Sequence, residues 1–274
     1  MRLMNEGVRA TATGERNDAR QVPVVRLAHV SKRFSNGTLA LEDFTFAFPQ
    51  HGFVSLLGPS GCGKSTILKL IAGLNEPTSG AIQWMGGQSQ QRDGRRDIAF
   101  VFQEPTLLPW ANALRNVMIP LILSRVPWAE AKSRALEALE QVGLAGFESS
   151  YPRELSGGMK MRVSIARAIV ERPRVLLMDE PFAALDEITR FKMNQDLLKL
   201  WQAHEFTVLF VTHSVYEATY LSQHVLIMAP RPGRAYARVA VEAPYPRDEG
   251  FRGEPLYHER CAEISALLAE TSHG

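Results

Sequence analysis

Cysteine is nearly absent from this chain. Two of its 274 residues, Cys62 and Cys261, carry thiols, too few for a disulfide framework and more in keeping with a reducing compartment. No run of about 18 apolar residues occurs, so the chain is expected not to cross a bilayer by itself. The opening MRLMNEGVRATATGERNDAR has no apolar stretch of the signal-peptide kind and few large hydrophobes, so residues 1–21 are expected to form a disordered tail. Charge of one sign is not in excess: 31 basic and 29 acidic residues give a net +2, with no block of like charges. That argues against a nucleic-acid-binding tract. Internal repeats and low-complexity tracts are also missing. What remains is a 45% hydrophobic, 22% charged chain, long enough to bury a substantial core as one large domain or two small ones.

An ordered body is expected from about Val22. The run Val24–Leu27 and the alternating Phe44, Phe46 and Phe48 read as strands joined through the Asn36-Gly37 turn and ended by Pro49. Phe53–Leu57 is a short apolar strand running into a glycine loop, after which Ile67, Leu68, Leu70 and Ile71 take helical spacing and Gly73 marks a helix end. Ile98–Phe102 reads as a strand ending at Gln103. From Glu104 to about Pro152 no strand-like run appears. There Ala135, Leu136, Leu139 and Val142 are expected on one helix face, with Glu130 four residues before Arg134 as a supporting pair. This predicts a helical subdomain, about 104–160, inserted within an α/β body. Val175–Met178 and Thr207–Val211 are unbroken apolar runs, as in parallel strands covered on both faces, with a crossover helix over Asp186–Ala203 between them. A strand at Val225–Met228, an alternating segment at Ala235–Val241 and a last helix around Glu259–Leu268 complete the reading.

Three motifs carry chemistry. LLGPSGCGKST supplies Gly58, Pro59, Ser60, Gly61, Cys62, Gly63, Lys64, Ser65 and Thr66. This spacing, between a strand and a helix, lets backbone N–H groups point inward at a phosphate, with Lys64 reaching the β and γ phosphates and Ser65 ligating Mg²⁺. In VLLMDE a buried strand ends in two carboxylates, which need a reason to be there. Asp179 is placed to hold Mg²⁺ through water and Glu180 to take a proton from an attacking water; taken alone, the pair also reads as a solvated turn. The third is Leu155-Ser156-Gly157-Gly158-Met159 before a helical stretch. Ser156, Gly157 and Gly158 read either as an ordinary N-cap or as a second anion site built from a hydroxyl, open N–H groups and the helix dipole.

In order and spacing, LSGGM upstream of VLLMDE, AFVFQ ending in Gln103, AALD ending in Asp186 and VTHS carrying His213 resemble the ATP-binding subunits of ABC transporters. The resemblance covers roughly residues 22–234. FQEPTLLPW and PRPGR are similar to the nitrate, sulfonate and taurine importer branch. It implies an α/β fold: a P-loop NTPase (RecA-like) core with an antiparallel β subdomain and an inserted α-helical subdomain, and a C-terminal extension over 235–274. ATP with Mg²⁺ is the implied ligand, and hydrolysis the implied activity.

The same resemblance assigns further roles. Phe34 falls where such proteins stack a ring on adenine, though alone it also reads as a core aromatic. Gln103 would contact Mg²⁺ or the lytic water, and His213 the γ-phosphate; alone, both read as surface or capping residues. Ser156, Gly157 and Gly158 would clasp the γ-phosphate held by a second, head-to-tail copy, with Asp186 at the seam. Met159 and Ala183 depart from the commonest pattern, which has Gln and Ser there. The partners expected are that second copy, transmembrane permease subunits and, indirectly, a solute-binding protein, with the chain peripheral on the cytoplasmic face of the inner or plasma membrane. Leu107-Leu108-Pro109-Trp110 is either a permease contact or packing inside the helical subdomain. The solute expected is a sulfonate, taurine or nitrate-like anion, with a thiamine-precursor pyrimidine or other small organic solute as the alternative. A chromosome-maintenance ATPase is disfavoured because no sustained heptads separate Gln103 from Ser156, a translation ATPase because one cassette is present, and a kinase because no acceptor site is evident.

Overall fold

The computed structural model describes residues 9–10, 22–85 and 97–272. They fall in two units, 1–94 with 207–274, and 95–206. Apart from Arg9–Ala10, the expected N-terminal tail lies outside the described residues. Arg9–Ala10 runs as a two-residue strand, β1.

In the first unit, β2 (Pro23–Arg33) and β3 (Leu39–Pro49) form an antiparallel hairpin, and β5 (Ser79–Trp84) pairs antiparallel with the far side of β2. The Phe44, Phe46 and Phe48 alternation buries all three rings, the period-2 pattern of a strand with one covered face. The connecting turn closes through Gly37 N–H donating to Phe34 O at 2.9 Å and Thr38 N–H to Asn36 Oδ1 at 3.0 Å.

A second sheet of the same unit centres on β4 (Phe53–Leu57), buried throughout, between the parallel strands β8 (Thr207–Val211) and β9 (His224–Ala229). β10 (Arg234–Ala240) adds antiparallel to β9 and is followed by β1, which makes the sheet mixed. Helix α1 (Lys64–Ile71) ends in a Schellman motif, with Leu74 N–H donating to Lys69 O and Gly73 N–H, at φ 67°, to Leu70 O. Helices α6 (Val215–Leu221) and α7 (Pro255–Ser272) pack on one another, and α7 lies against β9 and β10.

In the second unit, β6 (Ile98–Val101) and β7 (Val175–Asp179) pair in parallel. Helices α2 (Ala113–Leu123), α3 (Trp128–Gln141) and α4 (Gly157–Ile169) pack together, and α5 (Glu187–His204) follows β7. The buried side of α3 is Ala131, Ala135, Ala138 and Leu139, continuing to Val142. Leu136, expected on that face, is exposed instead. Positions 135, 138, 139 and 142 follow the i, i+3, i+4, i+7 stripe, and Leu136 sits one step, about 100°, off it. The Glu130–Arg134 pair forms at 3.6 Å.

Candidate functional site

The glycine loop leaves the carboxyl end of β4 and enters α1. Lys64 is 5% exposed. Its Nζ donates back to the carbonyls of Gly58 at 2.8 Å and Pro59 at 3.0 Å, so the buried ammonium is held by loop dipoles rather than by a carboxylate. Gly63 caps α1 at φ 96° without a side-chain hydrogen bond, leaving that positive helix end to backbone N–H groups alone. A Cβ on Gly63 would lie 2.6 Å from Leu41 Cδ2 and 2.9 Å from Ala40 O. The Cys62 thiol is buried in the loop, and burial pushes its pKa up, which keeps it protonated and unreactive. Pro59, Ser65 and Thr66 are half-buried, and Ser60 and Gly61 exposed.

The PRPGR turn supports this loop from behind. Gly233 N–H donates to Ala40 O, and its own carbonyl accepts from Glu42 N–H. A Cβ there would stand 2.1 Å from Cys62 O, so only glycine lets the two backbones pass so closely.

Parallel register brings His213 to the loop's end of the sheet, since β8 pairs with β4 through Leu56↔Val211. His213 is exposed on a corner fixed by its neighbours. Ser214 N–H donates to Thr212 Oγ1 at 3.0 Å, Glu217 N–H to Ser214 Oγ at 3.2 Å, and the Thr212 hydroxyl to the Glu217 carboxylate, which is 8% exposed. No motif gives Thr212, Ser214 or Glu217 a role, yet Ser214-x-x-Glu217 is legible as the spacing of a capping box. Phe34 is half-buried at the hairpin end, with Lys32 Nζ 5.4 Å from its ring centroid; it is not part of the packed core.

In the second unit, Asp179 ends β7, Glu180 comes directly after it, and Gln103 follows β6. The pairing Val101↔Met178 sends all three off the same strand ends, where ligands of open α/β sheets gather. Glu180 is half-buried with φ 49°, a left-handed backbone that a non-glycine residue adopts at a cost of about 1–2 kcal/mol. Arg190 of α5 ties down the loop that follows, donating to the carbonyls of Phe182, Ala183 and Leu185. Arg167 of α4 does the same after Gln103, reaching Pro105 O at 2.9 Å and Thr106 O at 3.0 Å. No spacing signal in the sequence marks either arginine.

Ser156 caps α4, its Oγ accepting Met159 N–H at 3.2 Å. Asp186 caps α5 through Thr189 N–H at 3.0 Å, a bond that holds its carboxyl below the usual carboxylate range. The two caps are neighbours: a Cβ on Gly158 would be 3.0 Å from Thr189 Cγ2, and one on Gly157 would be 3.9 Å from Leu185 Cδ2. Trp110 is 73% exposed, so the ring is not packed inside the helical layer.

A family model described as ABC transporter matches residues 41–183. The chain is 42% identical over 244 residues to the taurine import ATP-binding protein TauB of Rhizobium johnstonii, covering 87% of this chain and 92% of that one. The chain belongs to the ABC transporter family of ATP-binding proteins. The aliphatic sulfonates import ATP-binding protein SsuB of Bacillus cereus is also 42% identical, covering 82% of this chain and 89% of its own. Among solved structures, a dimeric, post-hydrolysis state of the ATP-binding cassette MJ0796 bound to ADP and Pi superposes on this ABC ATPase with a TM-score of 0.70. It shares 35% identity and covers 80% of this chain and all of that one.

The fold is thus the RecA-like ABC ATPase core with its mixed sheet and helical subdomain, and the activity is that of a nucleotide-binding, hydrolysing ATPase. Among the described residues of this ABC ATPase, no helix is long and apolar enough to cross a membrane. No cluster of three or more His, Cys, Asp or Glu side chains suited to a metal occurs among them either. The Ser65 hydroxyl in the first unit, and the Gln103 amide and Asp179 carboxylate in the second, are each hard oxygen donors, the chemistry that Mg²⁺ prefers.

Proposed function

We propose that this ABC ATPase energises the import of a small organic or inorganic anion, a sulfonate, taurine or nitrate-like solute, through a separate membrane permease. The observation that carries the reading is the likeness to taurine and sulfonate import ATP-binding proteins along 82–87% of the chain. Two copies pair head to tail, each ATP lying between one glycine loop and the other copy's Ser156-Gly157-Gly158. The paired state of a structural relative supports this arrangement. The chain then sits on the cytoplasmic face of the inner membrane, held by the permease, with a solute-binding protein delivering cargo on the far side.

Catalysis follows from the chemistry of the side chains. The Phe34 ring stacks on adenine. The N–H groups from Gly58 to Thr66 and the end of α1 receive the phosphates. Lys64, already paired with carbonyls, exchanges one for a phosphate oxygen and neutralises charge that grows on the γ-phosphoryl group. Glu180 accepts the proton of the attacking water, and Gln103 and His213 orient that water and the γ-phosphate. Ser65, Gln103 and Asp179 would hold Mg²⁺, which would supply neutralisation of phosphate charge when bound. Asp186 lines the seam between copies.

Ser156→Arg tests the shared site. It places a long cation on the face that meets the second copy, and is expected to abolish hydrolysis while ATP binding to the isolated chain survives. Hydrolysis by a dimeric preparation at the parental rate would refute it.

A further inference from the structure

The segment that follows the last strand of the sheet carries a side chain the reaction does not use. Arg247 is 5% exposed, and both of its terminal nitrogens are spent on backbone carbonyls. Nη1 donates to Thr219 O at 3.0 Å, Tyr220 O at 3.0 Å and Ser222 O at 2.9 Å. Nη2 donates to Val241 O at 3.0 Å and Ala243 O at 3.1 Å. Tyr245 and Phe251 flank it, their ring centroids 4.2 and 5.0 Å from the guanidinium carbon.

Three of these carbonyls lie in or just past the last turn of α6. A helix leaves its last four carbonyls without intrahelical partners. In α6, Ala218 O accepts from Ser222 N–H, Thr219 O and Tyr220 O from Arg247, and Leu221 O from the Tyr245 hydroxyl at 2.8 Å. Tyr220 answers by donating its hydroxyl to Arg247 O at 2.8 Å, and Tyr257 of α7 donates to Tyr216 O at 3.1 Å. A buried cation at the negative end of the helix adds a favourable charge–dipole contact.

The other end of α6 is the corner that bears His213. With Ser214 as its N-cap and Glu217 bonded to Thr212, the corner is built from the first turn of α6 itself. The helix has 7 residues, about 10 Å at 1.5 Å per residue, so its fixed carboxyl end lies about two turns from the N-cap that bears the corner.

We infer that Arg247 and Tyr245 are positioning residues for ATP hydrolysis: the C-terminal segment locks the carboxyl end of α6 so that its N-cap presents His213 in one place. This rests on the role of His213 proposed above, and it gives the segment beyond the nucleotide-binding motifs a part in turnover.

The test compares Arg247→Met, Tyr245→Phe and His213→Ala in the full chain with Mg-ATP, by steady-state kinetics and amide hydrogen exchange. Arg247→Met is expected to lower kcat about tenfold to a hundredfold, the scale of a displaced catalytic group. KM for ATP should stay within about twofold of the parent, since uniform binding is untouched. Exchange should quicken over 213–218 and stay parental over 53–71. Tyr245→Phe removes a single hydroxyl, is expected to shift the same quantities in the same direction by a smaller factor, and carries the comparison if Arg247→Met fails to fold. Parental kcat with quickened 213–218 exchange overturns the inference, as does a loss of kcat with equal quickening over 53–71. If His213→Ala keeps the parental kcat, the role given to His213 falls, and the inference with it. If His213→Ala is inactive while Arg247→Met turns over normally, the inference alone falls.

Discussion

Asn116 gives the most quantitative test of how the segment after Gln103 is held. Its side chain is fully buried on α2. Oδ1 accepts Leu108 N–H at 2.8 Å, while Nδ2 donates to Ala111 O at 2.9 Å, Asn112 O at 3.1 Å and Leu108 O at 3.2 Å. Two of those acceptors have second partners, because Leu108 O also receives Ala111 N–H and Asn112 O also receives Asn116 N–H. Asn116→Ala therefore strands chiefly the Leu108 donor and the Ala111 acceptor. A buried group left unpaired costs about 1–3 kcal/mol, so the two together are expected to cost about 2–4 kcal/mol once partial hydration of the new space is allowed. Urea unfolding of the full chain, extrapolated linearly to water, reads this directly. Asn116→Asp keeps the acceptor for Leu108 N–H but turns carboxylate oxygen towards three carbonyls, so it should be no more stable than the alanine variant. A loss below about 1 kcal/mol for Asn116→Ala, the worth of one ordinary surface-accessible bond, would refute the reasoning. It would mean that the Leu107–Trp110 segment is fixed by something other than this amide.

Glu180→Gln should leave ATP affinity near parental and lower kcat by about 10² to 10⁴, the range for removal of a general base; single-turnover hydrolysis checks it, and a loss under tenfold would exclude Glu180 from that role. Gly63→Ala forces a Cβ at φ 96° to within 2.6 Å of Leu41 and 2.9 Å of Ala40 O, so the loop must shift. ATP affinity by equilibrium titration is expected to fall at least about tenfold, the equivalent of roughly 1.4 kcal/mol. Trp110→Ala should retain ATPase activity in solution and lose solute uptake when assembled with the permease, as removal of an exposed aromatic anchor does; uptake at the parental level would remove Trp110 from the contact.

Much of this was legible in the sequence, and the reasons differ by element. The β4-loop-α1 unit was readable because a strand buried on both faces writes an unbroken apolar run and the loop's glycines have fixed spacing. β5 went unread because Ser79–Trp84 buries no residue fully, which leaves no alternation to detect. α2 lacked a clear signature because Pro120 sits inside it, and proline reads as a stop. The last helix begins at Pro255, four residues before the expected Glu259, as proline is well suited to a first helical turn. At the candidate site, the residues that would face the nucleotide carry motif signals, whereas those that fix them do not. Arg167, Arg190 and Arg247 act on carbonyls from a distance in sequence, and a carbonyl has no letter. Only the fold shows which arginine meets which loop.

The backbone of Glu180 has one more consequence. At φ 49° the position suits glycine or asparagine better than glutamate. A laboratory selection for heat tolerance alone would therefore favour replacing the very carboxylate proposed as the base in hydrolysis. Hardier variants recovered that way should include inactive ones altered at this single codon, an instance of durability and work pulling a protein in opposite directions.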